Sequence, residues 1–345
     1  MFLIMSDFAH FSDSIPHHFY FQALFLDGAA LVTNAPCVST QKSSEDIVTN
    51  IGNSISGLSH GSLYGNCFHV QSTRNAINVA YTSGELCTHQ DLSYYESKPG
   101  FQLLHCASSD PRYVIGGASV LIDCMAAAHR FRELAPDLFE TLVKCPATFN
   151  KTRSGAIMAY RRPHIVLHND GSDDLNNMNR EIVSVHWAPP FEGPMQIHPD
   201  RVVDYYKAHA AFELMLDDTK CPKAYSEAFE IELDLALSLS DYAKEYTWEY
   251  RLKAGEVMVF NNTRMLHGRR QFETIDGNEE TSVDAIGAPI SSTDENIRHL
   301  VGAYTNIDDT LNCYRVLLHE LGLESERLIP NVGNGSISAH QPCIQ

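Results

Sequence analysis

Three places in this 345-residue chain set an imidazole and a carboxylate two positions apart: His89/Asp91, His168/Asp170 and His198/Asp200. On extended backbone, residues two apart point to the same side, so each pair offers a nitrogen and an oxygen ligand together. A second histidine from elsewhere would complete a two-histidine, one-carboxylate set, which holds Fe(II) on one face and leaves positions open for substrate and oxygen. With 17 histidines and 43 acidic residues in the chain, such pairs arise by chance and context must choose. His168 opens HNDGSDD, a cluster of turn formers that reads as a hairpin tip. His198 opens HPDR ahead of a strongly helical stretch, where Asp200 or a neighbour reads as a helix cap. Only His89/Asp91 lies between two extended, apolar-aromatic segments, 78–82 and 101–106.

The third ligand is expected at the end of a late strand, and His267 in VMVFNNTRMLHGRRQF (257–272) stands there. The competing reading is a surface histidine in a basic turn. Arg298 opens the next strand, and a fixed guanidinium can take a carboxylate end-on through a bidentate, charge-assisted pair. Its competing reading is a surface salt bridge to Asp294 or Glu295.

The elements that would position these groups are mostly strands. Residues 20–33 read as a helix end, a turn at Asp27 and Gly28, and a strand, followed by a loop from Ser39 to Ser44. Strands are expected at Tyr64–Gln71, 78–82, 101–106 and Ala118–Ile122, with a turn at Gly116 and Gly117. Asp123 is predicted to cap a helix to about Leu134, and Pro136 to start a short second one. Residues 155–168 and 181–187 read as strands around the Asp/Asn/Gly turn, and Asp200–Asp217 as an amphipathic helix. Thr219–Ala243 reads as less regular. Glu245–Leu252 and Val257–Phe260 are expected to form a hairpin turning at Ala254 and Gly255, Thr274–Asn296 a mobile loop, Arg298–Tyr304 the last strand, and Thr310–Leu321 a C-terminal helix. Many strands with few helices predict a mainly β fold, a barrel or sandwich with flanking helices.

Composition bounds the partners. The formal net charge of −18 leaves no basic excess for nucleic acid or an anionic membrane. The start of the chain lacks the features of a secretory signal and no run reaches the length of a membrane span, so a cytoplasmic protein is expected. The nine cysteines are scattered, odd in number and never in Cys-x-x-Cys spacing, which fits reduced thiols without structural zinc. The partner is expected to be a small-molecule substrate, with a homodimer allowed.

Several runs together carry a resemblance: NVAYT (78–82), His89 to Asp91, KPGFQLLHC (98–106), Gly116 and Gly117 before a strand ending at Asp123, LHGRR (266–270) and RHLVGAY (298–304). They resemble the gamma-butyrobetaine and trimethyllysine dioxygenase branch of the TauD-like Fe(II)/2-oxoglutarate oxygenases, over about residues 20–320. The resemblance implies a double-stranded β-helix, a jelly-roll core, in one catalytic domain over 1–345 without the branch's N-terminal zinc domain. It implies that His89, Asp91 and His267 hold Fe(II), and that Arg298 takes the distal carboxylate of 2-oxoglutarate, with Asn78 also at the cosubstrate. O2 would be the oxidant. Tyr64 and Tyr81 match two tyrosines of the branch's aromatic cage for quaternary ammonium, and Phe68 stands where tryptophan is expected, which weakens cation–π attraction. His186 to Pro190 replaces the asparagine-rich substrate strand, and Trp187 and Tyr304 are further expected substrate contacts. The altered pocket implies an oxygenase acting on a small amino acid or amine-bearing carboxylic acid by hydroxylation, desaturation or ring closure. Gamma-butyrobetaine hydroxylation is the alternative, and a metal-dependent hydrolase or isomerase or a jelly-roll binding protein stands further off.

Overall fold

The computed structural model describes residues 4–7, 14–36, 41–58, 63–71, 83–153, 155–169, 171, 176–274, 298–323 and 331–335. In chain order these form β1 (Ile4–Asp7), α1 (Ser14–Leu26), β2 (Ala29–Thr33), α2 (Gln41–Ile55), β3 (Cys67–Gln71), β4 (Leu86–His89) and β5 (Phe101–Ser109). Next come β6 (Val114–Gly116), β7 (Ser119–Asp123), α3 (Cys124–Leu134), α4 (Pro136–Lys144), the hairpin β8 (Pro146–Arg153) and β9 (Ala156–Pro163), then β10 (Ile165–Leu167) and β11 (Ile182–Val185). A helical stretch follows, α5 (Val202–Leu216), α6 (Pro222–Phe229) and α7 (Leu233–Tyr246). The chain returns through β12 (Trp248–Tyr250), β13 (Val257–Asn261), β14 (Met265–Arg269), β15 (Phe272–Thr274), β16 (Arg298–Thr305) and α8 (Ile307–Glu320).

Two sheets make the jelly roll. The larger has the order β1-β2-β13-β5-β16-β3, and the smaller β12-β7-β14-β4. Period-2 alternation splits the residues of β5 between two environments. Phe101 and Leu103 face outward onto α1, α2 and α8, in a core with Phe21, Phe25, Ile51 and Tyr314. Leu104 and Cys106 face inward with Leu121, Met258, Phe260, Met265 and Leu300. Beyond the smaller sheet, α3, α4, α5 and α7 pack around Phe131, Phe139, Trp187 and Phe212. Truncating a fully buried ring such as Phe131 would cost about 3–5 kcal/mol, so these flanking cores hold the sheets in place.

Several expected local signals are present. Asp123 accepts from the backbone N–H groups of Met125 and Ala126 at the start of α3, and Gly116 and Gly117 have φ of 84° and 73°. Other expectations need correcting. The predicted loop at Ser39–Ser44 overlaps the first turn of α2, whose Ile47, Val48, Ile51 and Ile55 bury one face on the large sheet. Thr219–Ala243 forms α6 and α7, packed on α5. The predicted hairpin of Glu245–Leu252 with Val257–Phe260 does not exist: β12 pairs with β7 in the smaller sheet, while β13 pairs with β2 and β5 in the larger. The intervening segment carries the chain between sheets, with its tight turn at Gly255 (φ 84°). The expected strand 78–82 and nearly all of the expected loop Thr274–Asn296 lie outside the described residues. Among the described residues, the cysteines are all free and no helix is long and apolar enough to cross a membrane.

Candidate metal and cosubstrate site

His89 ends β4 and His267 sits in β14, and the two are direct partners in the antiparallel register. Their rings lie 4.4 Å apart between centroids. The pairing register shifts between His267 and Arg269, with the extra residue on β4 between Leu86 and His89, a β-bulge. Gly268 makes the bulge sterically feasible, because a Cβ there would stand 2.7 Å from the Leu86 carbonyl oxygen. Asp91 completes the group from the turn after β4. Its Oδ1 is 3.4 Å from His89 Nε2 and its Oδ2 3.6 Å from His267 Nε2. All three ligand atoms lie within 4.8 Å of one another, close enough for one ion.

The surroundings prepare these groups as ligands. His89 Nδ1–H donates to the Cys87 carbonyl at 2.8 Å, which leaves the lone pair on Nε2 facing Asp91. Burial and the neighbouring His89 push His267 down to about 3, so it is neutral at ordinary pH. Burial alone would raise Asp91, but the two histidines and the Tyr304 hydroxyl hold it well below the usual carboxylate range. Tyr304 donates to Asp91 Oδ2 at 2.8 Å. Two imidazoles and a carboxylate with open space beside them fit Fe(II) by donor chemistry.

Gln90, between the two ligands, is fully buried and pins the turn. Its Nε2 donates to the Thr263 carbonyl at 3.1 Å, and its Oε1 accepts from Trp187 N–H at 3.2 Å and from Lys98 Nζ at 2.8 Å. Lys98 also reaches the Val185 carbonyl and His186 Nδ1. Asn262, in the turn between β13 and β14, accepts from Asp91 N–H and donates to the Asp91 carbonyl. Burial pushes the Lys98 ammonium down to about 7, against an unfolded value of about 10.4. Between those values the unfolded chain binds more protons at this position, so this group makes folding more favourable as pH rises from about 7 toward 10. Lys98→Met is expected to flatten that part of the stability profile, read from urea midpoints at about pH 7 and about pH 9; an unchanged slope would remove Lys98 as its source.

A cavity of about 260 Å³ opens beside the three ligands. Arg298 lines it at the start of β16, largely buried, with its guanidinium 5.0 Å from the Phe272 ring centroid. Arg269 lines it too, over the same ring at 4.8 Å. Burial, then the charge of Arg298, push Arg269 down to about 10. No carboxylate pairs with Arg298 among the described residues, and the competing salt bridge to Asp294 or Glu295 falls on residues outside them. A buried guanidinium at Arg298, facing into the cavity, fits a carboxylate ligand. Arg270, by contrast, turns away to Asp218, Glu249 and Glu85.

Tyr64, Phe68 and Tyr304 line the cavity. Asn78 and Tyr81 lie outside the described residues. Trp187 requires correction as a substrate contact: its ring is buried in the helical core, stacked 4.4 Å from His209, and Pro190 and Phe191 from the same segment line the cavity instead. Neither His168 nor His198 lines this cavity. His198 is exposed and accepts from Asp200 N–H, and His168 closes the β10–β11 hairpin through its backbone to Glu181. Sequence reasoning missed Lys151, Ser119 and Gln102 on the cavity wall. Gln102 had a legible signal, a polar residue within an apolar strand on the same face as Leu104, and its buried Oε1 has no hydrogen-bond partner among the described residues.

The dioxygenase str8 of Strobilurus tenacellus is 29% identical over 256 residues, 72% of this chain and 50% of that protein. The gamma-butyrobetaine dioxygenase of Pseudomonas sp. (strain AK-1) is 27% identical over 254 residues, 74% of this chain and 52% of that protein. The chain therefore spans about half the length of these relatives. A solved structure of asparagine oxygenase, in complex with Fe(II), 2S,3S-3-hydroxyasparagine and succinate, shares the fold at a TM-score of 0.51 and 14% identity, covering 87% of this chain and 81% of that one. With the model described as "Taurine catabolism dioxygenase TauD, TfdA family" matching residues 20–283, this chain belongs to the TauD/TfdA family.

Proposed function

We propose that this protein is an Fe(II)/2-oxoglutarate-dependent oxygenase that oxidises an unactivated C–H bond of a small amino acid or amine-bearing carboxylic acid. The observation that carries the reading is one cavity holding both the His89, Asp91, His267 donor set and the Arg298 guanidinium. In this reading the three ligands hold Fe(II), which with 2-oxoglutarate and O2 supplies the oxidising power. The chain's own part is positional. Arg298 would orient the distal carboxylate of 2-oxoglutarate, Tyr304 keeps Asp91 ionised and aimed, and Phe68, Leu104, Met258, Phe191 and Leu300 keep water from the reacting carbon. A zinc hydrolase would have no use for two guanidiniums beside its metal.

The wall argues against a quaternary ammonium. Arg153 already lies over the Tyr64 ring at 4.8 Å, and Phe68 stacks on Tyr304 at 5.1 Å between centroids. Both rings thus have a face taken. Lys151 lines the same cavity, 5.2 Å from the Phe191 centroid, with no acidic partner among the described residues, and suits the carboxylate of a substrate. The test is a substrate screen with anaerobically purified protein, Fe(II), 2-oxoglutarate and O2, read by succinate release and product mass. Free amino acids are expected to stimulate succinate release above the substrate-free rate, and gamma-butyrobetaine to do so poorly. With the best amino acid, Lys151→Met is expected to raise KM by roughly 10-fold or more, the loss of a charge-assisted contact. Efficient gamma-butyrobetaine hydroxylation that survives Lys151→Met would reverse the substrate assignment. Absence of oxygen-dependent succinate formation with every compound, in iron-loaded protein, would count against the oxygenase reading itself.

A further inference from the structure

Behind the cavity wall, a second group of donors converges. His164, Glu192 and His209 each offer one ligand atom, all within 4.8 Å of one another. They come from three segments: the link between β9 and β10, the residue after the 3-10 turn Pro189–Phe191, and the middle of α5. His164 is completely buried, and its Nδ1–H donates to the His186 carbonyl at 2.8 Å. That bond places the lone pair on Nε2, which accepts from the Tyr205 hydroxyl at 2.8 Å and stands 4.0 Å from Glu192 Oε1. His209 Nε2 lies 3.1 Å from the same Oε1, with its ring held against Trp187. Tyr205 and His209 are one turn apart on α5 and face the site together.

The arrangement has the marks of a metal set. One histidine is fixed by a backbone carbonyl through the nitrogen that would not coordinate, as outer-shell partners of metal-binding histidines commonly do. The aromatic rings of Phe149, Trp187 and Tyr205 pack around His164, and none of the three donors lines the cavity beside His89. Zn(II) takes imidazole nitrogen and carboxylate oxygen ligands, usually four in a tetrahedron, and two imidazoles, one carboxylate and one further oxygen supply that number.

We propose that His164, Glu192 and His209 form a second, structural site for a zinc-class divalent cation, with the Tyr205 oxygen as the fourth donor at hand. The competing arrangement is two hydrogen-bonded pairs, Glu192 with His209 and Tyr205 with His164, and no metal. A cation here would tie α5 to the segment carrying Pro190 and Phe191, and Phe191 meets the His89 ring edge-on at 6.1 Å. The second site would therefore fix the wall of the first cavity without entering it.

The test does not depend on turnover. Full-length Asp91→Ala/His267→Ala protein, which lacks the first donor set, is stripped with chelator, incubated with Zn(II), desalted and assayed for zinc; Co(II) is used in parallel for its visible absorption. About one equivalent of retained zinc and a tetrahedral-type Co(II) spectrum are expected. Glu192→Gln or His209→Gln in the same background should lower retained zinc by at least roughly 10-fold. No zinc retained by the protein with the cluster intact would overturn the proposal, whatever the folding of the variants. So would full retention after both substitutions.

Discussion

Alanine at His89, Asp91 or His267 is expected to lower turnover by more than about 100-fold, because changes to outer-shell partners alone commonly cost 10-fold to 100-fold. Each substitution removes one of three converging donors, and the register that pairs His89 with His267 offers no nearby replacement. Fe(II) or Mn(II) affinity should fall in parallel, while the melting temperature of the metal-free protein should change little. The comparison set is His168→Ala and His198→Ala, whose side chains lie away from the cavity. If either of these matched His89→Ala in activity loss while remaining folded, the wrong pair would have been assigned to the metal.

The second large effect is expected at Arg298. Removing a buried charge-assisted anchor costs about 1.5–3 kcal/mol, so Arg298→Ala should weaken 2-oxoglutarate binding roughly 10-fold to 150-fold. Metal affinity measured without cosubstrate should be nearly unchanged, since Arg298 makes no contact with the three ligands. Arg298→Lys should recover only part of the loss, because an ammonium cannot present two parallel donors. Equal 2-oxoglutarate affinity in wild type and Arg298→Ala would move the anchor to Arg269, which shares the Phe272 ring; Arg270 is committed to Asp218 and Glu249.

Much of the centre was legible because its chemistry is written in short range. His89 and Asp91 are two residues apart, the LHGRR and RHLVGAY runs mark strand positions, and Asp123 announces a helix start. What stayed hidden depends on partners far away. The segments Trp248–Tyr250 and Val257–Asn261 look like neighbours in a hairpin, yet each finds a longer-range partner in a different sheet. Helix α7 carries Leu233 and Leu237 on its exposed side, which blurs the contrast between faces that periodicity needs. Trp187 is expected at the substrate as part of the segment 186–190 that replaces the substrate strand, but its backbone N–H is what serves the site, through Gln90. Lys151 gave no signal, since a lysine in a half-exposed strand normally faces solvent.

The paired hydrogen bonds between Asp91 and Asn262 join positions 171 residues apart in the chain. The two parts of the donor set therefore become neighbours only after most of the polypeptide has been made and the long connection between them has closed, at an entropic cost that precedes any reward from the contacts. During synthesis the emerging chain would expose His89 and Asp91 without their partner strand. In the finished protein the same linkage should make both ligand segments exchange their amide hydrogens as one cooperative unit, so that the centre is lost whole and not one ligand at a time.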